Sequence, residues 1–325
     1  MADKVASPTR EETTMSNIQG SDFQLSRDTH VWSFAADAQP TITVDSGAII
    51  DIETWDCFTG QVTSEQDTVA SLDLTRVNSA TGPIAVNGAE PGDTLAVTLI
   101  DIQPGPVGAG MIIPEWGQLI EHVTSPVTRI FNVKDGIVHM NERVSFPTRP
   151  MFGVIGVAPE SGDISTFLAG RHGGNLDDRM NGIGATVHMP VFQSGAMLSI
   201  GDMHASMGDG EICGTGVEIS GTGRIKVEVI KNRAAGWPVT ETSTHWYTHG
   251  AIENDGTLNE AIKIACEEAA RLLVDQWGFT MEDAFIFLSV AGDAGIAQST
   301  HPCPGSVIAR MGVPKISACP RPFRD

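Results

Sequence analysis

Residues 201–218 read GDMHASMGDGEICGTGVE and set Asp202, His204, Asp209, Glu211 and Glu218 among five glycines, with no lysine or arginine between them. Asp202 and His204 are two apart, a spacing that puts both side chains on one face of an extended strand, where they can chelate one ion. The glycines around Asp209 would turn the chain sharply enough to bring Glu211 back towards that ion. Carboxylate plus imidazole suits zinc or a similar borderline metal and leaves Glu211 free as a general base. Taken alone, Asp209 and Glu211 also read as turn residues and His204 as a satisfied, partly buried histidine.

A second cluster, RHGGNLDDR at residues 171–179, pairs glycines that permit close backbone approach with His172, Asn175 and Asp177. His172 can bind metal or polarise a carbonyl, Asn175 can donate to an oxyanion, and Asp177 can ligate or orient; the same residues also make an ordinary polar loop. In the third cluster, IETWDCFTGQ at residues 52–61, Glu53 and Asp56 stand in or just after a strand. Asp56 there could complete a metal site or be solvated at a turn. Cys57, between an acid and Phe58, has no cation nearby to lower its pKa and reads as an inert, half-buried thiol. His245 and His249 in HWYTH lack the Glu of HExxH and read as a surface or interface pair. GTGVEISGTG lacks the lysine and context of a phosphate loop, and no GxSxG elbow occurs.

The elements that must position these residues read as short strands broken by turns. TITVDSG, AIIDIETWD, GPIAVNGAEPG and DTLAVTLIDI are strand-like, and in the last Leu95, Val97 and Leu99 alternate with small or polar residues, which predicts a half-buried strand. VSFPTRPMFGVIGVAP, GATVHMPVFQSGAMLSIGD and RIKVEVI continue the pattern. At Thr257 it changes: TLNE is a capping box, Ile262, Ala265, Ala269, Leu272 and Leu273 line one helical face, Gly278 ends the helix, and a second starts near Met281. The expected fold is mainly β, a sandwich-like core with an intertwined α+β portion near residues 231–317 that carries the C-terminal helices. Residues 1–22 read as a flexible arm and residues 23–325 as one catalytic domain.

Twenty Lys+Arg against forty Asp+Glu give a net charge of −20, which argues against nucleic acid or an anionic membrane surface as partner and accommodates a small neutral substrate or a divalent metal. Five cysteines without CxxC spacing fit reduced thiols in a cytoplasmic protein, and neither a signal peptide nor an apolar run of membrane-spanning length is evident.

Together the three clusters resemble the acetamidase/formamidase family of amide hydrolases. TGPIAVNGAEPGDTLAVTLIDI, RHGGNLD, GAMLSIGDMHASMGDGEICGTGVE and LNEAIKIACEEAARLLVDQWGFTMEDAFIFLSVAGD are similar to its landmarks in the same order, over about residues 30–317. The resemblance implies a homo-oligomeric, mostly β metalloenzyme, zinc- or calcium-associated, that hydrolyses short carboxamides to carboxylate and ammonia. Carried onto this sequence, it implies Asp56, Asp202 and His204 as metal ligands, with His172 or Asp177 able to replace Asp56. Glu211 becomes the proton carrier, Asn175 or His172 the oxyanion donor, and Asp177, Met207 and Asp209 the substrate's surroundings. Met207 stands where the family usually has glutamine and Met180 where it usually has histidine, and thioethers donate no hydrogen bond. A more apolar pocket and a lactam substrate, or a noncatalytic calcium-binding β-sandwich, are the alternative expectations.

Overall fold

A computed structural model describes residues 20–253 and 256–323; residues 1–19 of the expected arm lie outside them. Two large sheets face each other. The nine-stranded one runs in the order Phe23–Leu25, Ile49–Thr54, Gly221–Ile230, Thr94–Pro104, Thr186–Pro190, Val239–Glu241, His245–Ile252, Val307–Pro314, Asp293–Gln298. The seven-stranded one runs Ala169–Gly170, Gly173–Asn175, Met151–Gly156, Leu198–His204, Ala80–Val86, His30–Val31, with Ile42–Val44 pairing in parallel to Ala80–Val86. A four-stranded sheet from Val107–Ile112 to Ser145–Pro147 flanks them.

Period-two patterning places Ile50, Ile52, Leu95, Val97, Leu99, Ile225 and Val227 of the first sheet against Ile84, Val86, Leu198 and Ile200 of the second, and Phe152 and Ile155 join the same buried cluster. This is the mainly β sandwich expected. Each such aliphatic side chain contributes about 1.5–3 kcal/mol by leaving water. The strand Thr94–Pro104 departs from simple alternation: Thr94 and Ala96 are buried as well, because residues 233–235 fold over that end and Ala235 N donates to Thr94 Oγ1 at 3.0 Å.

Helix α1 (Leu258–Trp277) begins where its capping box predicts: Thr257 accepts from Glu260 N, and the Glu260 side chain caps Thr257 N in return. It stops at Gly278, which takes the left-handed conformation at φ 68°. Its buried face packs Ala265, Ala269, Leu272 and Leu273 on Trp246, Met311 and Val313 of the large sheet. The strand His245–Ile252 lies so close that a Cβ at Gly250 would stand 2.2 Å from Ala261 O. Helix α2 (Met281–Ala291) follows as expected. Among the described residues no helix is long and apolar enough to cross a membrane.

Candidate active site

The three acidic clusters converge where strand ends of the two large sheets meet. Met151–Gly156 lies between Gly173–Asn175 and Leu198–His204, with Val154 opposite both Asn175 and Gly201. Leu176 N and Asp177 N both donate to Gly153 O, so the aspartate just after Gly173–Asn175 and the one inside Leu198–His204 close on the same bare glycine. A Cβ at Gly153 would lie 2.4 Å from Asp177 Oδ1 and 2.4 Å from Asp202 Oδ2. His204 Nε2 is 3.0 Å from Glu218 Oε1, 3.4 Å from Asp202 Oδ1 and 3.9 Å from Glu211 Oε1.

Glu211 arrives on the glycine-rich loop, which the end of the strand Asp293–Gln298 pins in place. Gly210 N donates to Ala297 O, Ser299 N donates to Gly210 O, and the Thr300 hydroxyl donates to Glu211 O. Gln298 Nε2 then donates to Glu211 Oε2 at 2.7 Å and to Asp177 Oδ2 at 2.5 Å. Asn175 Nδ2 donates to the same Asp177 oxygen, and Asn78 Nδ2 donates to Asn175 Oδ1 at 2.8 Å. These residues enclose a cavity of about 30 Å3, lined by Cys57, Asn78, Asn175, Asp177, Asp202, Glu211, Glu218 and Gln298, with the half-buried Trp116 and Phe167 at its side. The two rings meet edge to face, 6.1 Å between centroids.

Burial sets the charge states. It pushes the carboxyls of Asp177, Glu211 and Glu218 upward, and does so strongly for Asp177 and Glu218. Asp202 resists the same burial and sits below the usual carboxylate range, because the His204 imidazolium faces it. His204 in turn is driven well up, its own desolvation outweighed by Glu218 and Asp202. Two buried carboxylate oxygens, Asp177 Oδ1 and Glu218 Oε2, have no hydrogen-bond partner among the described residues, while Asp202 Oδ1 is met by His204 Nε2 at 3.4 Å. Such orphans are costly unless something cationic meets them.

Comparison with known proteins adds the family. Residues 24–166 and 161–315 match the model of the acetamidase/formamidase family. The chain belongs to that family. It is 26% identical to an acetamidase of Mycolicibacterium smegmatis over 89% of this chain and 92% of that protein. A formamidase-named protein of Schizosaccharomyces pombe is 30% identical, the match covering 58% of this chain and 61% of that protein. The crystal structure of an acetamidase from Bacillus halodurans superposes with a TM-score of 0.86 at 38% identity, covering 90% of this chain and 97% of that one. Acetamidase/formamidase membership makes the chain an amidohydrolase of carbon–nitrogen bonds other than peptide bonds.

On this acetamidase/formamidase frame the residues singled out in the sequence do not all meet. Asp202, Glu211, Asp177 and Asn175 come together at the cavity, and His204, although it does not line it, has its ring nitrogen within 4.8 Å of ligand oxygens of Asp177 and Glu211. Asp56 instead accepts from Ser220 Oγ at 2.8 Å and from Gly60 N, a turn role, and its neighbour Cys57 is the residue that reaches the cavity. Cys57 is half-buried, as read, and burial with the surrounding acids pushes its thiol well up; its sulfur nevertheless lies with Asp202 and Glu218, ligand atoms within 4.8 Å of one another. His172 is buried edge-on against Phe34, away from the cavity lining, with Nε2 unpartnered and its pKa lowered by burial to about 4. Met207 is buried at 3% exposure and is not among the cavity's lining residues.

Asp209 is bound by Arg179 at 2.7 Å and Arg310 at 2.8 Å, so the acid of the glycine-rich loop is compensated from a distant turn and a distant strand. Arg310 also meets Asp178 at 3.0 Å, and His249 meets that carboxylate at 2.8 Å. His249 is therefore no surface residue but a fully buried strut, because it projects from the face of the strand His245–Ile252 opposite to the one that sets Trp246, Thr248 and Gly250 against α1. Glu218, Asn78 and Gln298 went unremarked as site residues in the sequence. Only Glu218 carried a signal, its place in the acidic stretch.

The donor set fits a divalent transition ion. Imidazole, thiol and carboxylates are the ligands of zinc-like metals, whereas calcium would take oxygen alone and leave His204 and Cys57 unused.

Proposed function

We propose that this amidohydrolase is metal-dependent and cleaves the C–N bond of short linear carboxamides, formamide or acetamide in type, to carboxylate and ammonia. One observation carries the reading: Asp177, Asp202, Glu211 and Glu218, all buried, converge with His204 on a small cavity whose lining contains no lysine or arginine. Cys57, Asp177, Asp202, His204 and Glu218 are the residues that would hold the metal, with Glu211 beside them left for proton transfer. A bound divalent ion of this kind supplies Lewis acidity, polarising a carbonyl and acidifying water.

The chain's own groups do the rest. Glu211, held at Oε2 by Gln298 and raised by burial, takes a proton from the attacking water as the oxygen bonds to the amide carbon. It returns that proton to the nitrogen as the C–N bond breaks, so water adds across the bond and ammonia leaves. Asn175, with one amide hydrogen spent on Asp177, has a second to donate to the carbonyl oxygen as it gains charge.

The test is ammonia release from formamide, acetamide, propionamide and benzamide, with ring opening of a γ-lactam alongside. Turnover should be greatest for the smallest linear amides and should fall at least 10²-fold in Glu211→Gln, the usual scale of a general base. Lactam opening without linear amide turnover would contradict the substrate reading.

A further inference from the structure

We propose that Arg310 is a positioning residue for Glu211, fixing from outside the cavity the three segments that set the Gln298 bridge between Glu211 and Asp177. The proposal rests on the proton-transfer role given to Glu211 above. Arg310 stands on the strand Val307–Pro314, paired with His249 on one side and Gly295 on the other, and it is only 5% exposed. Its Nη1 donates to Asp178 Oδ1 at 3.0 Å and to Ile296 O at 3.2 Å, and its Nη2 donates to Asp209 Oδ2 at 2.8 Å. None of these three acceptors belongs to a residue that lines the cavity, yet each stands one or two residues from one that does. Asp178 follows Asp177, Asp209 comes two before Glu211, and Ile296 comes two before Gln298.

The strand Asp293–Gln298 loses its regular register between Ile296 and Gln298, an irregularity of the kind that re-aims a side chain, so pairing alone does not direct Gln298 at Glu211. The bond to Ile296 O holds the strand just before that point. Glu211 and Asp177 both sit at positive φ, and a backbone of that kind keeps its shape only when its neighbours are anchored. Asp209 and Asp178 are those neighbours. A planar guanidinium meets two carboxylates in a fixed relative position, which an ammonium on a flexible stem cannot do. The space is cut for it, since a Cβ at Gly295 would stand 3.1 Å from Arg310 Nε and 3.2 Å from its Cζ. Charge is not what Arg310 lends to the cavity: it is spent on Asp178 and Asp209, which His249 and Arg179 also meet. Apolar side chains of similar volume stabilise such an interior as well or better, so the use of the network is the geometry it imposes.

Single and paired substitutions in the full chain, assayed for kcat and KM with acetamide at saturating zinc, test this, with circular dichroism reporting the fold of each. Arg310→Lys should lower kcat by about 10²-fold, the cost of a 1 Å misplacement, and leave KM within about 3-fold of the parent. Asp209→Asn, which weakens the loop's end of the same link, should lower kcat in the same direction. In a Glu211→Gln background neither change should cost more than about 2-fold, because residues that act as one unit do not add. An arginine that served stability alone would lower kcat by the same factor in both backgrounds, and that result overturns the proposal, as does full turnover by a folded Arg310→Lys. Unchanged turnover in Glu211→Gln overturns the proton-transfer reading itself. Should Arg310→Lys fail to fold, Asp209→Asn in the two backgrounds decides.

Discussion

Asp177, Asp202 and Glu211 all take positive φ, 37°, 54° and 40°. Such a backbone costs a non-glycine residue on the order of 1 kcal/mol or more and persists only where the surroundings enforce it. Here it turns three carboxylates into one cavity. The sequence let Asp202, His204 and Glu211 be picked out, because their spacing and the flanking glycines carry the chemistry. It could not separate Asp56 from Cys57, since one residue's difference in a turn decides which side chain faces inward. His172 stands in a conspicuous motif, yet its ring is buried against Phe34 and does not line the cavity. A histidine held neutral by burial, with pKa about 4 against 6.5, leaves the unfolded chain binding more protons between those values. Its share of stability is therefore intact above about pH 6.5 and lost as pH falls through about 4, roughly 3 kcal/mol in all. Guanidinium unfolding of His172→Leu near pH 7 and near pH 4.5 should show that much less acid sensitivity than the parent, with amide turnover at neutral pH largely kept. Abolished turnover in a folded variant would put His172 at the reacting atoms instead.

At the scale of elements, α1 was legible to the residue because its start and stop are local: Thr257 and Glu260 bond across three positions and Gly278 closes the end. Strand pairing was not, because Ile49–Thr54 finds its partner at Gly221–Ile230, and no local period encodes that. The site depends on such distant pairings. Gly153 is the clearest case, an inconspicuous glycine in a strand whose missing side chain leaves room for Asp177 and Asp202. Gly153→Ala should keep the fold by circular dichroism yet lower kcat/KM for acetamide by about 10²-fold, the scale of a 1 Å displacement in an active site. Unchanged turnover would mean that the two carboxylates need not sit where they do.

For the whole molecule, composition and turn spacing were enough to read a mainly β sandwich with helices near its C-terminal end. Which strand ends would meet to form a cavity was beyond them. A net charge of −20 suits a protein that draws cations and handles a neutral substrate, but most of those carboxylates are solvated. Those that matter are the four buried around His204, where the lining among the described residues offers no basic side chain and the proposed divalent cation would balance the charge. That is the central claim, and stripping the protein tests it most directly. Chelator-treated, desalted protein should release no ammonia from acetamide and should regain turnover when zinc is titrated back. Full turnover by protein shown to be free of metal would contradict the account.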